Sequence, residues 1–136
     1  MSLYRIFDIA GSGMVAQSVR LNVTASNMAN AESVSNSVNQ TYHARRPVFS
    51  AFLDKEQEVV GAEVRVRGIL ESPAPIRMEY RPEHPLANAQ GYIYLPNVNS
   101  AEELADMISA SRSYQDNVEI LNTSKQLMSR TLDLGR

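Results

Sequence analysis

The chain has no cysteine, and that absence removes a disulfide frame, a thiol nucleophile and any thiolate metal site together. It is compatible with a cytosolic protein and with an exported one that does without disulfides. No run approaches the ~18 apolar residues of a membrane span, so direct membrane insertion is not expected. Asp8 splits the apolar stretch near the start, and no cleavage site follows a long apolar run, which predicts no secretory signal. The formal net charge of −2 implies no general attraction to nucleic acid or acidic lipid.

Sites for chemistry are equally sparse. His43 and His84 are the only histidines, and neither His-x-x-x-His nor Glu-x-x-His spacing occurs. No nucleophile elbow frames a serine. Gly11-Ser12-Gly13 has neither a preceding strand nor a lysine within it, so it is no phosphate loop. Asp54, Glu56 and Glu58 read as a solvated loop flank, and Arg45-Arg46 with Arg65 and Arg67 as small ion-pairing spots. The expectation is a protein without catalysis, metal or cofactor.

Proline and glycine are present but unevenly placed. From Asn97 to Arg136 there is no proline, and the only glycine is Gly135. Leu104, Met107, Ser111, Tyr114, Val118, Leu121, Lys125, Met128 and Leu132 alternate three and four apart, a heptad seam with polar interruptions. Ile108, Ile120 and Leu127 lie beside it. Asn99 with Glu102, or Ser100 with Glu103, provides capping spacing. Glu102, Glu103 and Asp106 suit the dipole at the start, and Lys125, Arg130 and Arg136 lie toward the other end. Roughly 34 helical residues make a rod of about 50 Å, too long to bury its stripe in a domain this small. The helix needs another helix.

Residues 1–30 offer one. Phe7, Ala10, Met14, Gln17, Leu21, Thr24 and Met28 repeat the spacing. Gly11 and Gly13 each cost a helix ~1 kcal/mol, and the surrounding Ser, Thr and Asn side chains compete with it. This segment is therefore expected to draw its stability from a partner surface. The asparagines and serines of residues 22–39 have two readings, a frayed helix end or polar hydrogen bonding between subunits. Residues 31–41 read as a polar linker. Residues 42–96 hold frequent Pro and Gly between short β-like runs. These include Tyr42 to Phe52, Glu63 to Leu70 with a bulge at Gly68, and Tyr92 to Leu95; Ile76 to Tyr80 could add a strand. Residues 97–136 form the closing helix. The fold class is α+β, a coiled-coil-like antiparallel pair of terminal helices around a small, irregular antiparallel β insert.

Several blocks carry a family resemblance. Ile6-Phe7-Asp8-Ile9-Ala10-Gly11-Ser12 looks like the opening of bacterial flagellar basal-body rod proteins. Ser26-Asn27-Met28-Ala29-Asn30 is similar to the Ser-Asn-Leu-Ala-Asn signature of the rod and hook axial family, with Met28 for its leucine. Thr41-Tyr42-His43-Ala44-Arg45-Arg46-Pro47-Val48-Phe49, Pro85 to Tyr92, Pro96-Asn97-Val98-Asn99, Met107 to Gln115 and Thr131 to Arg136 continue the likeness. The Thr-Pro-Gly-Tyr run that often follows the signature is absent, and Glu32-Ser33-Val34 stands there instead.

The resemblance implies a structural subunit of the proximal rod, located in the periplasmic part of the basal body. It implies export by the flagellar type III apparatus without a cleaved signal peptide. Implied partners are other copies, sibling proximal and distal rod proteins, and export-gate or MS-ring adaptor subunits. Subunit contacts are then expected along the seams, at Phe7, Met14, Leu21, Asn27, Met28 and Asn30 and at Leu104, Met107, Ile108, Tyr114, Val118, Leu121, Met128 and Leu132. The alternative reading is a soluble helical adaptor or export chaperone of a type III secretion system.

Overall fold

A computed structural model describes residues 3–53 and 61–134, with Leu3, Tyr4 and Leu134 described by backbone alone. The acidic loop reading at Asp54, Glu56 and Glu58 lies outside the described residues, as does Arg136. In chain order the elements are α1 (Leu3–Asn30), a 3-10 turn (Val38–Gln40), β1 (Arg45–Phe52), β2 (Glu63–Glu71), β3 (Arg77–Tyr80), β4 (Tyr92–Leu95) and α2 (Ser100–Leu134). The chain is α+β, with two long helices enclosing a β insert.

At 1.5 Å per residue, α1 is about 42 Å long and α2 about 52 Å. They run antiparallel. Descending α1, Arg20 meets Asp106, Gly13 meets Asn117, and Ile6 lies beside Ile120 and Ser124, so the partners climb α2. By the same progression α1 runs out near Lys125, and the last turns of α2 extend past it. Leu132 there is 70% exposed.

The start of α2 is fixed by Asn99. Its side-chain oxygen accepts a hydrogen bond from Ala101 N at 3.1 Å, and its carbonyl takes the Glu103 amide at 3.0 Å. Glu102 and Glu103 occupy the first turn, where the helix dipole favours them. The last described turn holds no basic residue; Lys125 and Arg130 lie upstream of it.

The insert is two separate two-stranded antiparallel sheets. β1 and β2 pair from Arg45↔Glu71 to Phe52↔Glu63. Val48 opposes Gly68 while Phe49 opposes Val66, which leaves Arg67 as the extra residue of a bulge. The sequence placed that bulge one residue later, at Gly68. An isolated two-stranded ribbon is marginal in water, and this one leans on α1. Pro47 and Phe49 lie with Arg20 and Thr24, and Ile69 with Val19 and Val23. Farther along, Val64 N donates to Ser12 Oγ at 3.0 Å.

β3 and β4 pair from Arg77↔Leu95 to Tyr80↔Tyr92, with the two tyrosine rings edge to face at 5.2 Å. Gly91 turns the chain into β4 at φ 81°, and a Cβ there would lie 2.8 Å from the Tyr80 ring. Ile93, Leu95, Pro96 and Val98 are buried where β4 feeds into α2. The polar segment before β1 is tied in as well. Ser35 and Tyr94 exchange two backbone hydrogen bonds of 3.0 Å, and the Ser35 and Thr41 hydroxyls meet at 2.5 Å.

Candidate assembly interface

Three of the blocks that carry the family resemblance, Ser26 to Asn30, Thr41 to Phe49 and Pro96 to Asn99, meet where the end of α1, the root of β1 and the entry to α2 come together. Asn27 is 1% exposed. Its Nδ2 donates to Arg45 O at 2.8 Å, and its Oδ1 accepts from Arg45 N and from Tyr42 Oη, each at 2.9 Å. The carboxamide thus bonds both backbone groups of one strand residue, as a neighbouring strand would. Ser26 Oγ lies 3.3 Å from the same tyrosine hydroxyl. Asn30 Nδ2 turns back to Ser26 O at 2.8 Å.

Asn97 clamps from the other side. Its Oδ1 accepts from Ala44 N at 2.7 Å, and its Nδ2 donates to Ala74 O at 2.7 Å and Ser72 O at 3.3 Å. Beneath the two carboxamides lies a small apolar cluster of Ala31, Ala44 and Val98, with Tyr42 against it. The clamp therefore joins both helices to the β ribbon. The sequence reading put Asn97 at the start of the closing helix, which instead begins at Ser100, and neither apolar period nor charge marks it as a hub.

The helix pair uses a different column of α2 from the one its large apolar residues suggest. The buried positions are Glu103, Ala110 and Ser124, and half-buried Asn117 continues their seven-residue spacing. Met107, Tyr114, Leu121 and Met128, all half-buried, supply the alternate positions as expected. Leu104 and Lys125, expected in the seam, are exposed, while Ser111 and Val118 are half-buried one residue beyond the covered column. The physical reason is close approach. A Cβ on Gly13 would stand 3.1 Å from the Asn117 carboxamide. Facing surfaces that near require small residues, here Ala10 and Gly13 on α1 and Ala110 on α2. Gln17 Oε1 is the one buried side-chain oxygen without a hydrogen-bond partner among the described residues.

On α1, Phe7, Met14, Leu21, Met28 and Asn30 are half-buried. Asn27 is enclosed by its own chain. On α2, Leu104 and Ile108 are each 48% exposed. Residues expected at subunit contacts thus divide into those half-covered within the chain and those, with Leu132, left largely uncovered. Arg20 closes the upper part of the pair through a 2.6 Å bond to Asp106. A groove of about 300 Å³ opens there, shared by the two helices and β1, with Arg45, Arg46 and Glu103 also lining it.

Among the described residues no three His, Cys, Asp or Glu side chains gather as a metal site. His84 Nδ1 accepts from Leu86 N at 3.1 Å, a turn contact. No described helix is long and apolar enough to cross a membrane.

A fold of two long axial helices joined by polar clamps to a small insert belongs to a structural class, and the family comparisons name it. The model described as "Flagella basal body rod protein" matches residues 7–36, and "Flagellar basal body rod FlgEFG protein C-terminal" matches residues 89–134. The chain is a flagellar basal-body rod protein. Within that class it belongs to the FlgC family. It is 54% identical to the flagellar basal-body rod protein FlgC of Yersinia enterocolitica, over all of both chains. It is 49% identical to that of Salmonella typhimurium, again over all of both chains. The FlgC of Aquifex aeolicus is 39% identical over 98% of this chain and 97% of its own.

Proposed function

We propose that the chain is a structural subunit of the proximal rod, built by helix–helix packing into the shaft that transmits torque. The observation that carries this reading is a full-length family match on a helix pair whose large apolar side chains are incompletely covered. Leu104, Ile108, Ile120, Leu127 and Leu132 are all between 46% and 70% exposed. Exposed apolar side chains along a helix in this number suit packing against neighbours. The neighbours are other copies, sibling proximal and distal rod proteins, and export-gate or MS-ring adaptor subunits. The chain reaches the periplasm through the flagellar type III apparatus without a cleaved signal peptide, and it has no catalytic role. The adaptor or chaperone alternative is not favoured, because the full-length relatives carry the name of a rod protein.

Leu132→Asp tests the reading. Leu132 is 70% exposed, so the free chain should change stability by no more than about 0.5 kcal/mol. In the assembled shaft the same carboxylate would be buried against a neighbour, at a cost of several kcal/mol. The expected result is a folded chain, by circular dichroism, that no longer co-purifies with detergent-extracted basal bodies. Normal incorporation would remove the interface assignment. A cytosolic pool bound to other export substrates would favour an adaptor.

A further inference from the structure

The groove at the upper end of the helix pair holds side-chain oxygens that the chain leaves unused. Glu103 is 5% exposed and Thr24 3%, and both line it. Because the helices are antiparallel, Thr24, one turn past Arg20 on α1, faces Glu103, one turn before Asp106 on α2. Neither the Glu103 carboxylate nor Thr24 Oγ1 makes a hydrogen bond or ion pair among the described residues. Neither is sealed in as Gln17 Oε1 is, so each opens to the groove. A nearly buried carboxylate without a donor is costly unless something supplies one. The arginines at the groove are already engaged. Arg20 holds Asp106 Oδ1 at 2.6 Å, Arg45 stands 3.7 Å from Glu71, and Arg46 stands 3.9 Å from Glu102. Three cations are thus matched by three carboxylates, and Glu103 is the carboxylate left over.

We propose that this groove is a socket for a primary ammonium, the side-chain end of a lysine on a neighbouring chain of different sequence. An ammonium carries three N–H donors and no acceptor. The groove offers three acceptors with no donor of their own, the Glu103 carboxylate, Thr24 Oγ1 and the second oxygen of Asp106. A planar guanidinium has five donors in a fixed fork and leaves more of them unmet at so recessed a site. Pro47 and Phe49 of β1 also line the groove and suit the aliphatic stem of a lysine. The chain does not fill the socket from its own α2, because Lys125 lies nineteen residues past Asp106, about 28 Å along the helix. Its one other lysine, Lys55, lies outside the described residues. With two lysines among 13 basic residues the chain is a poor source of the group for its own kind, so a chain of different sequence is the occupant. A lysine seated there touches α1, α2 and β1 together. The inference rests on the rod reading, and it specifies a partner group rather than a further helix seam.

Carbodiimide coupling tests the socket in assembled basal bodies. The reagent joins a carboxylate to an amine in direct contact and takes up the water lost as the amide forms. The expected product is an adduct of this chain with a chain of another sequence, whose linked peptide contains Glu103. Glu103→Gln should abolish that peptide and lower incorporation by about tenfold or more. The same variant should leave the Tm of the free chain unchanged or raised, because the carboxylate has no partner there to lose. A Tm lowered by the substitution would make Glu103 a structural residue and overturn the socket. Arg46→Gln should keep the adduct; an adduct seen only in Arg46→Gln would make Arg46 the resident cation of the groove and remove the neighbour. A link from Glu103 to Lys55 or Lys125 would overturn a chain of different sequence as the source. Assembled chain whose other carboxylates couple while Glu103 does not would overturn the ammonium and leave the rod reading intact. Absence of the unmodified chain from basal bodies would overturn both.

Discussion

Asn27→Ala is expected to loosen the insert from the helices. The side chain is 1% exposed and makes three hydrogen bonds, two to the backbone of Arg45 and one to the Tyr42 hydroxyl. Tyr42 can turn toward Ser26 Oγ, already 3.3 Å away, so its loss is partly offset. Arg45 N and O have no such substitute. A buried backbone group left unpaired costs about 1–3 kcal/mol, so the two together give about 3 kcal/mol once partial hydration is allowed. For a chain of this size that is roughly a 10 °C fall in Tm. Asn27→Asp is the sharper variant. It keeps the acceptor for Tyr42 and Arg45 N, but sets a second oxygen where Nδ2 now lies 2.8 Å from Arg45 O. It should cost at least as much as alanine despite its nearly identical shape. The assay is urea unfolding combined with amide exchange. Arg45 and the ribbon should lose protection by tenfold or more, beyond any change in the middle of α2. A loss below about 1 kcal/mol, or unchanged exchange at Arg45, would refute the clamp.

Two further predictions separate packing from propensity. A Cβ on Gly11 meets nothing within 4 Å, so Gly11→Ala should stabilise by about 1 kcal/mol, seen as a higher Tm. Gly13→Ala puts the same methyl 3.1 Å from the Asn117 carboxamide, which is itself bonded to Ser113 O at 2.8 Å. It should forfeit that gain, and Asn117→Ser should restore it; equal stabilisation by both alanines would argue against close helix approach at Gly13. Asn99→Ala should cost about 1 kcal/mol by removing the cap on Ala101 N, with exchange rising first in the opening turn of α2.

The fold class was legible because its signals are local. A proline-free heptad marks α2, dense Pro and Gly mark the insert, and two adjacent capping candidates, Asn99 and Ser100, bracket the start of the helix, of which the structure uses Asn99. The α1 segment was legible by period although its propensity is poor, and the structure shows why it holds. Gly13, a weakness in isolation, is what lets α2 come near. The helix seam was half legible. Met107, Tyr114, Leu121 and Met128 stand out as large apolar residues. Ala110, Asn117 and Ser124 do not, because a period search weighs hydrophobicity while close packing selects for small size. The clamp was least legible. The asparagines near the end of α1 suggested either fraying or contacts between subunits. Asn27 instead bonds a strand residue eighteen positions later, a relation visible only in three dimensions. The uncovered residues Leu104, Ile108 and Ile120 were already apparent as apolar, and the folded chain shows which flank each occupies.

The ribbon's attachment has a mechanical consequence. Anchored only at its root, a two-stranded ribbon beside a shaft would swing like a lever arm, and a sideways push at its far end would bend the joint. This one is fastened twice, at Arg45 through Asn27 and again where Val64 meets Ser12, about 20 Å farther along α1. It is a brace rather than an arm. A tangential load on the insert reaches α1 as two opposed forces spread over several helical turns, so the polar joint at Asn27 never carries the whole bending moment.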